Sequence, residues 1–189
     1  MNDIDIFKKI NDNQIQGIML HRNMMIYYDF LGIRFMKRCH EFHYLSETTS
    51  NDTINRYVNN HLNRIMIIKN VSSPFDIPEN WENVDRMKVT NDSRKQYFKQ
   101  AIDKWHDWEI ETKKLYQECY KELCNISEIA SAKKVIQLIS CVDDELKFLE
   151  RKIILFTELE WDLKSIMMFD NELHDEYAKK TKEIGFNIC

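Results

Sequence analysis

Residues 102–123 read IDKWHDWEIETKKLYQECYKEL, and this stretch shows the amphipathic pattern of the chain best. Its charged residues recur at spacings of three and four, which is the period of one face of an α-helix. That face carries Lys104, Asp107, Glu111, Lys114, Glu118 and Lys121. The opposite face carries Ile102, Trp105, Thr112, Tyr116, Cys119 and Leu123. The stretch therefore predicts a long amphipathic helix with one face in a core.

The composition extends this prediction to the whole chain. The 189 residues include only three glycines and two prolines, whereas β-rich and doubly wound folds need these residues at most of their turns. With 43% hydrophobic and 31% charged residues, the composition is that of a globular protein. The net charge of −4 argues against a broad nucleic-acid-binding surface, which needs an excess of basic residues. We predict an all-α protein.

Local signals divide the chain into helices. We predict a first helix from about Ile4 to Leu45 with a bend at Gly32, followed by a polar connection over residues 46–52. A second helix is predicted from about Thr53 to Lys69 and a third from Asn91 to about Cys124. A fourth is predicted from about Ser127 to Leu159 and a last one from about Asp162 to Ile184. Both prolines lie in a crossover loop over about residues 70–91. The prediction is one domain over residues 1–189: a four-helix bundle with a short C-terminal fifth helix.

The cysteines and the apolar stretches bear on where the protein works. The five cysteines are odd in number and form no CxxC pair, which favours free thiols in a reducing compartment. The sequence does not begin with a signal-peptide pattern, so we expect a cytoplasmic protein. The longest apolar stretches, such as residues 24–28, are far too short to span a bilayer, and we expect no membrane contact.

Ionisable residues fall on the inward faces of the four predicted helices. They are His21 on the first helix, His61 and Arg64 on the second, Glu109 on the third and Glu145 on the fourth. Two imidazoles and two carboxylates that converge in this way could bind one transition metal ion such as zinc, manganese or iron. Tyr28, seven residues after His21, could then support a carboxylate ligand by a hydrogen bond.

A metal-free interpretation explains the same residues. Arg64 could form a buried ion pair with Glu109 or Glu145, with the histidines satisfied by hydrogen bonds. A guanidinium would then supply the positive charge that a metal ion would otherwise carry. Both interpretations stay open, and we prefer the ion pair.

The remaining polar residues give weaker signals. His40 and His43 have a metal-like spacing, but we expect them on a solvated helix face, and we expect His106 and His174 at the surface. The four tryptophans are expected to be packing residues. No serine or cysteine has an evident histidine and acid partner, and three glycines cannot form a phosphate-binding loop. We therefore assign no catalytic residue.

The layout of the predicted helices resembles the ferritin-like superfamily. His21 and Tyr28 have the spacing of that family's first-helix carboxylate and tyrosine, and residues 61–64 lie where its Glu-x-x-His motif is expected. Glu109 is similar to the third-helix ligand, and Val142 with Glu145 stand at the second Glu-x-x-His position. Residues 169–174 are similar to the approach to the family's short last helix. Of six expected ligand positions only Glu109 is kept, so the resemblance implies a diverged centre without ferroxidase activity.

The inward polar residues and this resemblance together lead to three functional expectations. The first is an oligomeric or partner-binding protein, with Tyr27, Phe42 and Trp108 as aromatic residues that one core does not accommodate. The second is a protein that binds one transition metal ion in its bundle. The third is iron storage or oxidation, which would make the protein a ferritin-like metal-dependent oxidase. The first is preferred, with a homo-oligomer as the expected assembly.

Overall fold

Helices account for all regular secondary structure in the part of the chain that the structure describes. The computed structural model describes residues 2–67, 71–77 and 84–168. Its helices are α1 (Asp3–Leu31), α2 (Arg34–His61), α3 (Asn91–Asn125), α4 (Ile129–Glu158) and α5 (Leu163–Met168), with a 3-10 turn at Arg86–Lys88. The all-α prediction is confirmed. Trp81, His174 and residues 169–184 of the predicted last helix lie outside the described residues.

A complete reversal at Gly32 separates α1 from α2. Gly32 adopts a left-handed conformation (φ 79°), which favours glycine. Its amide donates to the carbonyl oxygen of Asp29, and the amide of Ile33 donates to that of Tyr28 at 2.9 Å. These two bonds form the motif that commonly ends a helix at a glycine. The predicted bend within a single first helix is therefore wrong, because the chain turns back at this point.

Residues 46–52 lie inside α2, so the predicted polar connection is wrong. The helix runs without interruption from Arg34 to His61 and ends eight residues before the predicted end at Lys69. Hydroxyl groups in this run donate to carbonyl oxygens four residues earlier, as Thr48 does to Tyr44 at 2.7 Å. Turn-forming residues are compatible with a helix when their polar groups find partners of this kind, here and on α1.

The second half of the chain agrees closely with the predicted boundaries. α3 begins after Thr90, whose hydroxyl oxygen accepts a hydrogen bond from the amide of Ser93 at 3.1 Å. The predicted inward face of α3 is buried, including Trp105 at 0% exposure. α4 begins two residues after the predicted start at Ser127 and ends one residue before Leu159. The strong amphipathic period of these two helices explains the agreement.

The long helices pack so that contacting residues follow in reverse order along the two partners. Four such contacts are Lys9 with Glu122, Tyr28 with Phe98, Phe35 with Phe156 and Tyr57 with Ser131. α1 is thus antiparallel to α3, and α2 to α4. Asp29 with Lys37 and Asn11 with Asn51 show the same reverse order between α1 and α2. Phe98 with Phe156 and Lys113 with Asp143 show it between α3 and α4. Consequently α2 and α3 run in the same direction, and residues 62–90 form the long connection between them.

The buried apolar residues form two clusters with a polar section between them. The first cluster includes Tyr28, Phe98, Trp105 and Phe156. The second includes Ile6, Ile10, Tyr116 and Val135. Between them, the buried residues of the long helices are mostly polar: Asn11, Asn13, Gln14, His21, His40, Asn51, Glu109 and Thr112. Buried polar groups need specific partners, which apolar side chains do not, so this polar section is the candidate functional site.

The aromatic residues that suggested self-association have places in the core. Tyr27 is 3% exposed and belongs to the first apolar cluster, and Phe42 and Trp108 are half-buried and pack against it. The expectation that one core does not accommodate them is therefore wrong. Among the described residues, no helix combines the length and the apolar character that crossing a bilayer requires.

Candidate metal centre

Three histidine rings meet in the polar section. His21 from α1 is 1% exposed, and His40 from α2 is fully buried. The Nδ1 atoms of His21 and His40 lie 2.9 Å apart. The ring of His43, one turn further along α2, stacks on His21 with 5.2 Å between ring centres. The indole of Trp105 contacts all three rings, so an aromatic wall closes this side of the group.

Glu145 from α4 brings a carboxylate to the same place. Its Oε1 atom lies 2.8 Å from Nδ1 of His43 and 3.9 Å from Nε2 of His21. The side chains of His43 and Glu145 are each 12% exposed. One ligand atom from each of His21, His43 and Glu145 lies within 4.8 Å of the other two, so this group could hold a metal ion. Three different helices supply these side chains.

Two more carboxyl groups border the group. Glu47 follows His43 by one turn of α2 and lies opposite Gly17 of α1, where an added Cβ atom would be 3.6 Å from Cδ of Glu47, an ordinary van der Waals distance. Glu109 of α3 is 3% exposed, and its Oε1 atom accepts a hydrogen bond from the Trp105 indole at 2.9 Å. Both carboxyl groups are close enough to Glu145 to feel its charge.

Burial favours the protonated form of these two carboxyl groups by raising the pKa of each. Removal from water raises the pKa of Glu47 to about 8, with a further increase from the charge of Glu145 and a smaller decrease from His43. Burial also raises the pKa of Glu109 well above its ordinary value, and the charges of Glu145 and Glu47 add to this effect. The hydrogen bond from Trp105 acts in the opposite direction without cancelling it.

The histidines divide into two neutral rings and one charged ring. Burial lowers the pKa of His21 and His40 well below the ordinary value, and the neighbouring imidazoles lower it further. Burial alone would also lower the pKa of His43. Burial is the largest single effect there, but the negative charge of Glu145, the charge of Cys39 and hydrogen bonds with both side chains together outweigh it, so the pKa of His43 is raised well above its ordinary value. Without metal, the group therefore contains one ion pair, between His43 and Glu145.

This arrangement can exchange a proton for a metal ion. Imidazole nitrogen and carboxylate oxygen are the ligand atoms of zinc, iron and manganese sites in proteins. A metal ion requires deprotonated ligands, so it would displace the proton that His43 carries beside Glu145. The pKa values of Glu47 and Glu109 beside it are raised, and the added positive charge of an ion would favour loss of a proton from these carboxyl groups.

A layer of amide side chains lies beside the candidate centre. The Asn51 amide donates to Oδ1 of Asn11 at 2.9 Å and to Oε1 of Gln14 at 3.3 Å. The Asn55 amide donates to the same Asn11 oxygen at 3.2 Å, and the Gln14 amide donates to Ser50 Oγ at 2.8 Å. These bonds join α1 to α2 at one position along their length, and they hold Glu47 and His43 opposite α1.

The structure brings together only part of the predicted site. His21, Glu109 and Glu145 lie in the polar section as expected. His61 and Arg64 do not, because both are exposed: His61 is the last residue of α2 and Arg64 lies beyond its end. An ion pair centred on Arg64 is therefore absent from this section. The Tyr28 ring stacks on His40, and its hydroxyl has no hydrogen-bond partner among the described residues.

His40 and His43 were misplaced on a solvated face. The cause is the false break at residues 46–52, which made them the polar end of a first helix. The signal that could have found His43 is the unbroken spacing of three and four through that break: Met36, Cys39, His43, Glu47, Asn51, Ile54 and Val58. Most members of this series are buried, and it places His43 and Glu47 between apolar positions of one face.

Comparison with known proteins adds no relative. No protein-family model, no curated protein and no solved structure matches this chain. The case for a function therefore depends on the geometry of the polar section.

Proposed function

We propose that this chain is a metal-binding helical protein that holds one divalent transition metal ion through His21, His43 and Glu145. One observation carries the proposal: three ligand atoms from three helices lie within 4.8 Å of one another in a nearly dry section of the molecule. Burying ionisable groups lowers the stability of the folded state. A buried group of three histidines and three carboxylic acids is therefore typical of a functional site that gains a ligand.

The ligand set favours zinc, iron(II) or manganese. Two imidazoles and one carboxylate form the protein ligands of catalytic zinc sites and of the non-haem iron(II) triad. Three protein ligands leave at least one coordination position for water or a small ligand. Glu47 and Glu109, whose pKa values are raised by burial and by the charge of Glu145, are the groups placed to serve that position.

The helix directions support a four-helix bundle of ferritin-like arrangement. α1 and α2 form one antiparallel pair and α3 and α4 another, and a long connection makes α2 and α3 parallel. A single long crossover of this kind distinguishes ferritin-like bundles from simple up-and-down ones. The proposed centre would be a rebuilt one, with His21 on the first helix, His43 on the second and Glu145 on the fourth.

Metal stoichiometry tests the proposal. Purified protein is loaded with Zn²⁺, passed through gel filtration and analysed for bound metal, and its melting temperature is measured with and without the ion. We expect one equivalent per chain and a raised melting temperature, because the ion binds only the folded state. His43→Ala should remove both effects, whereas His61→Ala, the matched change at the exposed end of α2, should leave them intact. Equal retention of zinc by the two variants would contradict the proposal.

Self-association is a second candidate property. Ile129, Ile136 and Ile154 on α4 are 56%, 47% and 59% exposed, and their spacings of 7 and 18 residues place them on one side of the helix. Light scattering should give a mass above the 22.9 kDa of one chain, and Ile136→Glu with Ile154→Glu should reduce it. A wild-type mass of one chain would exclude this property and would not affect the metal site.

A further inference from the structure

We propose that His40 is a positioning residue that selects the tautomer of His21 and thereby controls whether the metal ion can bind. This inference rests on the proposed metal function and deepens it. His40 is not among the three side chains within ligand distance of one another. Its contact with the centre is the 2.9 Å approach of its Nδ1 atom to Nδ1 of His21.

Only one proton can lie between the Nδ1 atoms of His21 and His40. Two N–H groups cannot face each other at 2.9 Å, so one Nδ1 atom donates and the other accepts. If His21 donates, its Nε2 atom carries a free lone pair, and that atom faces Glu145 at 3.9 Å. If His40 donates, the proton of neutral His21 is on Nε2, where it points towards the Glu145 carboxylate. Only the first arrangement can bind an ion at His21 Nε2.

The surroundings of His40 Nε2 are compatible with donation by either histidine. Nε2 of His40 is buried and has no hydrogen-bond partner among the described residues. The Tyr28 ring stacks on the imidazole at 5.2 Å and 12°, and the Trp105 ring lies 4.4 Å away. These rings hold the plane of the imidazole without donating or accepting a hydrogen bond at Nε2. No third group in the described chain therefore fixes the tautomer of His40.

Metal binding then rearranges the protons of both rings without changing their charge. Without metal, His21 carries its proton on Nε2 beside Glu145, and His40 carries its own on Nδ1. As the ion binds, the Nε2 proton of His21 leaves, the shared proton moves from His40 Nδ1 to His21 Nδ1, and His40 takes up a proton on Nε2. One proton is lost and one gained, so each ring stays neutral. Histidine ligands of metal ions generally have such a partner on the second nitrogen.

Substitutions separate this role from simple packing. His40→Leu removes the acceptor, and we expect zinc affinity to fall about 10–100-fold, the range found when such partners are lost. His40→Gln places a carbonyl oxygen that can accept from His21 Nδ1, and it should recover part of the loss. Tyr28→Phe, which keeps the stacked ring and removes only the unpartnered hydroxyl, is the control and should bind zinc as the wild type does.

Long-range proton–nitrogen NMR correlations of the imidazoles report the tautomers directly. In the wild type, we expect the His21 proton on Nε2 without zinc and on Nδ1 with zinc. Zinc-loaded protein in which His21 still carries its proton on Nε2 would overturn the inference, as would undiminished zinc affinity in His40→Leu. Either result would leave the metal site itself standing. A wild-type protein that binds no zinc would instead remove the proposed function, and this inference with it.

Discussion

His43 on α2 and Glu145 on α4 form an ion pair, with 2.8 Å between Nδ1 and Oε1. Both side chains are 12% exposed, so the pair is largely removed from water. It joins two helices that are far apart in the sequence, and it places a proton where a metal ion would bind. The pair therefore links α2 to α4 in the metal-free protein, and under the proposed function a metal ion would have to displace its proton.

The first prediction concerns the stability of this pair in the presence of a chelator. His43→Leu should lower the free energy of unfolding by roughly 3 kcal/mol, because it leaves the Glu145 carboxylate buried without its partner. Adding Glu145→Leu should recover much of the loss, as expected for two groups that interact directly. Denaturant unfolding of the single and double variants measures both effects. If the two losses simply added, the pair would not be coupled.

The second prediction concerns Glu47 and pH. Its pKa is about 8 in the folded protein against an ordinary value of 4.5, so the folded state binds one more proton than the unfolded state between these values. The contribution of Glu47 to stability is therefore fully present below about pH 4.5 and is lost as the pH rises to 8. Glu47→Gln mimics the protonated acid. Its free energy of unfolding, relative to that of the wild type, should therefore increase by up to about 1.4 kcal/mol per pH unit as the pH rises through this window.

The measurement for Glu47→Gln is metal-free denaturant unfolding at a series of pH values. Glu111→Gln is the matched control, because Glu111 is an exposed glutamate on α3. Its difference from the wild type should change little across the same range. A Glu47→Gln difference that stays flat from pH 5 to 8 would show that the carboxyl group is ionised in the folded protein.

The third prediction concerns the amide layer. Asn51→Ala should cost about 1–3 kcal/mol, because it removes the bonds to Asn11 and Gln14 and leaves buried oxygens without one of their donors. Asn60→Ala, near the end of the same helix and exposed, should change the free energy of unfolding by less than about 0.5 kcal/mol. If the two variants were equally stable, the amide layer would not stabilise the packing of α1 against α2.

Periodicity was sufficient to predict the second half of the fold and insufficient for the first. α3 and α4 carry strong apolar and charged stripes, so their phases placed Trp105, Glu109 and Glu145 correctly. α1 and α2 bury amides and histidines instead, and residues 46–52 have the composition of a turn. Some polar side chains of residues 46–52 find their partners on α1, among them Asn11 and Gln14. A local sequence pattern does not predict such partners.

The candidate site depended on this one boundary. A break at residues 46–52 moved the centre of the predicted second helix to His61, which lies at the exposed end of α2. The continuous helix instead presents His43 and Glu47 at the level of His21. Only the register of α1 against α2 decides between these choices, and that register follows from the reversal at Gly32.

Anomalous diffraction at the zinc absorption edge, from crystals of zinc-loaded protein, tests the central claim most directly. We expect one strong peak inside the polar section, about 2.0–2.2 Å from a nitrogen of His21, a nitrogen of His43 and an oxygen of Glu145. In crystals of His43→Ala grown in the same way, that peak should be absent. A fully folded wild-type protein whose zinc peaks lie only on surface carboxylates would contradict the account.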